Sequence, residues 1–320
     1  MTLVIINALA PVFFIMLLGY LAGKFKMVDN RNVSLLNIFV MDFALPAALF
    51  TATVKTPWAG IVKELPLIVI LTLAMWIAYA ALYFLATRVF KKSSQDAAVL
   101  TLTVALPNYA ALGLPILNSI FGEGPSTSLN VAVSIACGSV LMTPFCLMIL
   151  EAGKAAAAGG EQKSMLAMLP VLMGRSLKKP IVSGPLAGVI LSALGITMPT
   201  IVLGAIKPLG LSATAAALFL TGVILSARQL KVNMPVMLGL VLKNLVQPFI
   251  AWGVVIAFGI HGDVARAGIV LIALSAGFFG VVFGNRFGVQ SPDAEGTLLL
   301  SSLLCILSVP LFIMLTGGMV

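Results

Sequence analysis

Apolar residues run along this chain in blocks of about twenty, separated by short stretches where lysine, arginine, proline and glycine collect. A helix crossing about 30 Å of hydrocarbon needs roughly 20 apolar residues. On that measure the pattern predicts ten spans, near 3–23, 33–53, 66–87, 97–120, 128–150, 181–199, 207–227, 234–259, 265–287 and 296–317. The one long connection, EAGKAAAAGGEQKSMLAMLPVLMGRSLKKP at 151–180, reads as a mobile linker. It divides the chain into a first set of five helices (1–150) and a second set (181–320). The opening MTLVIINALAPVFFIMLLGY lacks a basic n-region and a small-residue cleavage site, so a retained first helix is expected.

One block departs from the rest. Residues 101–122, TLTVALPNYAALGLPILNSIFG, are long and apolar enough to span, yet carry Pro107, Asn108, Gly113 and Pro115 at their centre. Proline removes a backbone donor and clashes with the preceding turn. In hydrocarbon the freed carbonyls need partners, so such a break survives only where it is buried in protein or lines a cavity.

Composition agrees with the spans. Of 320 residues 61% are hydrophobic and 9% charged, with mean hydropathy +1.15. A soluble domain is roughly 45–50% apolar and about 25% charged. The expected class is therefore an all-α polytopic membrane protein. The net charge of +9 is assigned to short loops that orient the helices, not to a nucleic-acid surface. Cys137, Cys146 and Cys305 fall inside apolar segments and read as small buried hydrophobes. A lone His261 leaves no multi-histidine metal site, and the absence of a GxxxxGK[ST] motif argues against ATP hydrolysis by this chain. Ser275 has no histidine near its depth, so a membrane-embedded hydrolase is disfavoured. No cofactor is expected.

Loop charge gives a topology. Lys24, Lys26, Arg31, Arg88, Lys91, Lys92, Lys154, Lys163, Arg175, Lys178, Lys179, Arg228 and Lys231 follow the odd-numbered helices. Only Lys55, Lys63, Lys207 and Arg266 follow the even-numbered ones. The first set is then cytoplasmic, and both termini lie outside the cytoplasm. Five spans per half makes the halves inverted if they are structural repeats. Pro144 and Pro310 lie near the ends of the fifth and tenth spans, and Pro66 and Pro235 open the third and eighth. ALPNYAALGLPI of the fourth falls on ALSAGFFGVVFG, residues 273–284, of the ninth. Paired interruptions at matching positions of two halves point to the site of a secondary transporter.

These residues carry a family resemblance. PVFFIMLLGYLAGK, FALPAALF, LPNYAALGLP, Lys243 and Pro248 in LKNLVQP, and the run at 273–284 together resemble the auxin efflux carrier family, most closely its bacterial malonate/malate permease members. The resemblance spans essentially the whole chain. It implies ten transmembrane helices in two inverted five-helix repeats, with the fourth and ninth helices broken and crossing at the substrate site. In one respect the chain departs from the family, because Asp42 stands where a neutral residue, often asparagine, is usual.

The candidate substrate residues are Pro107, Asn108, Tyr109, Gly113 and Pro115 with Ser275, Gly277 and Gly280. Asn108 could donate to a substrate oxygen, and helix N-termini at a break favour an anion; alternatively the Gly and Pro residues serve only packing. Asp42 and Lys243 sit about ten residues inside their spans and are candidate ion-coupling groups. Asp42 reads equally as a static hydrogen-bond partner, and Lys243 as a lysine snorkelling to the interface. Arg286 is a candidate for steering anions or an interfacial anchor; Asn285 and Gln247 are weaker candidates. Asn37, Ser134 and Ser139 are assigned to helix packing, and Asp293 and Glu295 to solvated loops.

The leading expectation is a proton-coupled secondary transporter of a mono- or dicarboxylate in a bacterial inner membrane. Its expected partners are a small organic anion, a proton or a sodium ion, membrane lipid and a second copy in a homodimer, with no nucleic acid. A ligand sensor signalling through residues 151–180 is the alternative. A channel is disfavoured by the lack of a charged ring.

Overall fold

The computed structural model describes residues 2–157, 170–172, 174, 177–227 and 232–318. Half of the 151–180 linker, including Lys163 and Arg175, lies outside them, as do Arg228 and Lys231. The described chain is helical: α1 (Thr2–Lys24), α2 (Ser34–Thr53), α3 (Leu65–Val89), α4 (Ser94–Ala105), α5 (Tyr109–Phe121), α6 (Pro125–Lys154), α7 (Pro180–Ala193), α8 (Thr200–Ser226), α9 (Met234–Ala257), α10 (Gly262–Ala273), α11 (Phe279–Phe287) and α12 (Pro292–Leu315). Among the described residues, six helices are long and apolar enough to cross a membrane alone: α2, α3, α6, α8, α9 and α12.

Of the remaining elements, α4, α5, α7, α10 and α11 are shorter, and several stop for a local reason. The expected sixth span, 181–199, stops at Ala193. There Gly195 adopts a left-handed φ of 68°, and the Ile196 N–H returns to the Leu191 carbonyl at 2.9 Å. This is the glycine C-cap that ends helices. The next helix starts at Thr200, directly after Pro199, not at 207. The fourth and ninth expected spans are each split. α4 and α10 have 12 residues apiece, a length of about 18 Å, too short to cross about 30 Å of hydrocarbon.

Two compact units are present: Met1–Ile68, Tyr109–Ile135 and Lys178–Arg228 form the first, and Val69–Asn108, Ala136–Leu177 and Gln229–Val320 the second. Each draws segments from both halves of the sequence. In the first unit α1 packs on α8 with almost no side chain between the backbones. A Cβ at Gly19 would strike the Phe219 carbonyl, and one at Gly222 the Met16 carbonyl. Small residues at such contacts let helices associate where lipid supplies no hydrophobic drive. α2 is tied to α7 by Thr53 Oγ1, which donates to the Pro185 carbonyl at 3.1 Å.

In the second unit Trp76 of α3 meets Phe145 of α6 edge to face at 4.6 Å. At one end of this unit Lys92 Nζ lies 2.7 Å from Asp96 Oδ2 and 2.6 Å from Asp293 Oδ2. Asn233 Nδ2 donates to Asp293 Oδ1 at 2.7 Å, and Ser291 Oγ to Asp96 Oδ1 at 2.5 Å. The cluster joins the starts of α4, α9 and α12. It also corrects the assignment of Asp293 to a solvated loop, since that carboxylate is buried. Large apolar side chains such as Phe14, Leu35, Ile201, Ile256 and Leu307 stay exposed, as suits a protein whose solvent is lipid.

Candidate functional site

The second unit holds both helix interruptions of interest. α4 begins at an N-cap, Ser93, whose Oγ accepts the Asp96 N–H at 3.2 Å. It ends at Ala105 because proline disfavours helical geometry in the residue before it. Leu106 is extended accordingly, with φ −96° and ψ 108°. α10 ends without a proline: Leu274 swings to φ −58° and ψ 158°.

The two irregular segments pair with each other. The Asn108 N–H donates to the Ser275 carbonyl at 2.9 Å, and Pro107 and Ala276 form an isolated antiparallel bridge. Gly277 N–H reaches the Thr103 carbonyl at 3.0 Å, and Ala276 N–H reaches Ser301 Oγ at 2.9 Å. The breaks thus answer much of each other's hydrogen-bonding need, which buried backbone requires. A Cβ at Gly277 would run into the Leu106 carbonyl, and one at Gly280 into Thr103 Oγ1. These glycines let α11 and its approach lie directly on α4.

The carbonyls at the C-terminal ends of α4 and α10 are met by α9. Its π-helical turn Leu242–Val246 carries Lys243, and Gln247 follows one turn on. Gln247 Nε2 donates to the Ala105 carbonyl at 2.7 Å. Lys243 Nζ donates to the Ile272 carbonyl and to Gln247 Oε1, both at 2.8 Å. Lys243 is 0% exposed, so it does not snorkel. Lys243 thus meets the C-terminal end of α10 directly and that of α4 through Gln247.

Inside this satisfied frame two side chains have no partner. Asn108 Nδ2 and Oδ1 and Ser275 Oγ are buried and make no hydrogen bond. A buried polar group left unpaired costs about 1–3 kcal/mol. Such groups beside two paired helix breaks are free to hydrogen-bond a small ligand.

A family model described as "Membrane transport protein" matches residues 4–313. The chain belongs to that family. Transporters of it that resemble this one include the uncharacterized transporter YfdV of Escherichia coli, 25% identical over 308 residues and covering 96% of both chains. A putative malonate transporter of Rhizobium meliloti is 24% identical over 302 residues, covering 93% of this chain and 92% of its own. An uncharacterized transporter of Methanothermobacter thermautotrophicus is 25% identical over 305 residues, covering 94% and 95%. This chain is an integral membrane protein of a transporter family.

The transporter's other predicted residues fall in the first unit or at its surface. Tyr109 and Gly113 bound a buried π-helical turn, with Gly113 against Val131. Pro115 opens the regular part of α5 and lines a cavity of about 450 Å³ with Thr51, Asn118, Glu123, Lys207 and Thr214. Asn118 Oδ1 is buried there without a partner. Asp42 lies in the π-helical turn Phe39–Ala44 and is exposed; Arg286 is exposed in the last turn of α11. The side chain of Asn285 is outside the described residues.

Two groups carry more than the sequence shows. Gln247, a weaker candidate on sequence, holds both Ala105 and Lys243. Glu64, buried before α3, was passed over; the Asn130 amide nitrogen, with its carboxamide turned to face the acid, lies 2.7 and 3.2 Å from its oxygens. The Gln247–Ala105 and Glu64–Asn130 contacts are remote in sequence and leave no local motif, whereas Lys243 and Gln247 are four residues apart on one helix.

Proposed function

We propose that this protein is a secondary active transporter of a small organic anion, a mono- or dicarboxylate such as malonate or malate, working by alternating access and driven by protons. The observation that carries this reading is the pairing of Asn108 with Ser275 at two helix breaks, with both side chains buried and unpartnered. An amide donor and a hydroxyl suit carboxylate oxygens. The N-terminal end of α11, directly after the second break, adds partial positive charge. The name of the Rhizobium meliloti relative favours a dicarboxylate.

The fold proposed for this function is ten transmembrane helices in two inverted five-helix repeats, the second entering the bilayer from the opposite side. The alignment of 105–116 with 273–284 places Pro107–Asn108 on Ser275–Ala276, and these are the peptides that face each other. That reciprocity supports a two-fold relationship between the halves. The loop-charge bias supports both termini outside the cytoplasm; an inner-membrane location and a homodimer are part of the same proposal.

Uptake into proteoliposomes tests the reading, using a panel of radiolabelled carboxylates with and without imposed proton and sodium gradients. Saturable uptake of at least one small carboxylate, accelerated by a proton gradient, is expected. Binding without flux would identify a sensor, and no flux of any carboxylate under either gradient would overturn the proposal.

A further inference from the structure

The acceptors around Lys243 form an unusual set. Its amino group is wholly enclosed, and its hydrogen bonds go to two neutral oxygens, the Ile272 carbonyl and Gln247 Oε1. The orientation of the Gln247 amide is fixed, because its Nε2 donates to the Ala105 carbonyl, which can only accept. Oxygens belonging to or held by the C-terminal ends of two interrupted helices are therefore gathered about one cation.

Carbonyls at the ends of broken helices are the ligands with which sodium-coupled carriers hold their ion. Here the same type of donor set meets a positive charge supplied by the chain itself. An ammonium and a sodium ion compete for such oxygens, and the two cannot share a closed space without strong repulsion. We infer that Lys243 is a tethered cation holding the position that a coupling sodium ion would take, so that the protein neither binds nor needs sodium. This inference rests on the secondary-transporter reading and narrows its driving ion. Lys243 is in this sense a positioning residue: it acts through the two helix ends.

The test uses purified full-length protein, with thermal unfolding followed in detergent at constant ionic strength in sodium chloride or N-methylglucamine chloride. For the wild type the two melting temperatures should coincide. Lys243→Ala removes the charge and opens space among the oxygens, so its melting temperature should fall but then rise by about 3 °C or more in sodium alone. Lys243→Met removes the charge while filling the space, and should melt lower with no response to sodium. A merely structural lysine would give two destabilised variants, both indifferent to the ion. Sodium stabilisation of the wild type overturns the inference, and so does a folded alanine variant that ignores sodium. If the alanine variant does not fold, Lys243→Ser is scored in the same way, and the wild-type comparison still decides whether sodium binds. Because no flux is measured, loss of every carboxylate transport activity would sink the transporter reading and leave this result standing.

Discussion

The Asn108 backbone N–H donates to the Ser275 carbonyl at 2.9 Å, while the side chains of these two residues, both buried, have no partner at all. The backbone is satisfied, and the functional groups are not. Asn108→Ala and Ser275→Ala therefore sacrifice no protein hydrogen bond. Each should leave the melting temperature within about 2 °C of wild type. If the side chains bind a carboxylate, each loses a hydrogen bond to a charged group, about 1.5–3 kcal/mol, and transport efficiency should fall roughly 10- to 150-fold. Initial-rate uptake alongside thermal unfolding checks this, and a variant with unchanged transport removes its residue from the site.

Gln247→Leu should act in the opposite sense. It keeps approximate volume but leaves the Ala105 carbonyl unmet and takes one acceptor from Lys243. Unsatisfied groups of this kind cost about 1–3 kcal/mol each. The melting temperature should drop by several degrees, with transport falling in parallel as folded protein is lost. A stable but inactive variant would instead place Gln247 in direct contact with substrate.

Glycine at 280 is required by distance. A Cβ there meets Thr103 Oγ1 and the Val99 carbonyl, and only backbone movement could relieve the second contact. Gly280→Ala should cost about 1–3 kcal/mol and Gly280→Val more, visible as lowered unfolding temperatures. Normal stability in Gly280→Val would mean that α11 and α4 are farther apart than described.

How much of this was legible in the sequence depends on where each partner sits. Pro107 announces its own break, because proline acts on the residue next to it. The second break has no proline and became visible only by pairing 273–284 with 105–116. Lys243 could be seen as too deep for a surface lysine, and Gln247 four residues on is within reach along one helix, but the long-range partners could not be read: Ile272 lies 29 residues away, and the Gln247–Ala105 contact spans 142. Charges beside loops misled most. Asp293 resembles a solvated acid until long-range contacts bury it. Local chemistry was readable, and partnerships across the fold were not.

The Lys92 cluster makes a pH-dependent prediction. Burial pulls the Lys92 ammonium down, but hydrogen bonds to Asp293 and Asp96, with their charges, outweigh it and hold the group above its ordinary 10.5. A folded value above the unfolded one means stability that is fully present below about 10.5 and is lost as pH rises through the folded value. Wild type should therefore keep this contribution at neutral pH and lose it above 10.5, whereas Lys92→Met should melt lower at neutral pH and lack that alkaline loss. Unfolding temperatures of both from pH 7 to the alkaline limit of the detergent decide it. Parallel curves would show that the ion pairs add nothing net.

Asp42 gives the sharpest test of proton drive. It is exposed on the π-helical turn of α2 in the first unit. A carboxylate within a membrane span carries an insertion cost of roughly 2.5–3.5 kcal/mol, which falls when the group takes up a proton. If Asp42 gains and loses that proton during transport, Asp42→Asn should mimic the protonated state. The variant should fold as well as wild type or better, exchange unlabelled for labelled carboxylate across the bilayer, and lose acceleration by an imposed proton gradient. Counterflow and gradient-driven uptake measured on the same proteoliposomes separate these effects. Full retention of gradient acceleration in Asp42→Asn would move the proton to another group and leave Asp42 as a structural or lipid-facing residue.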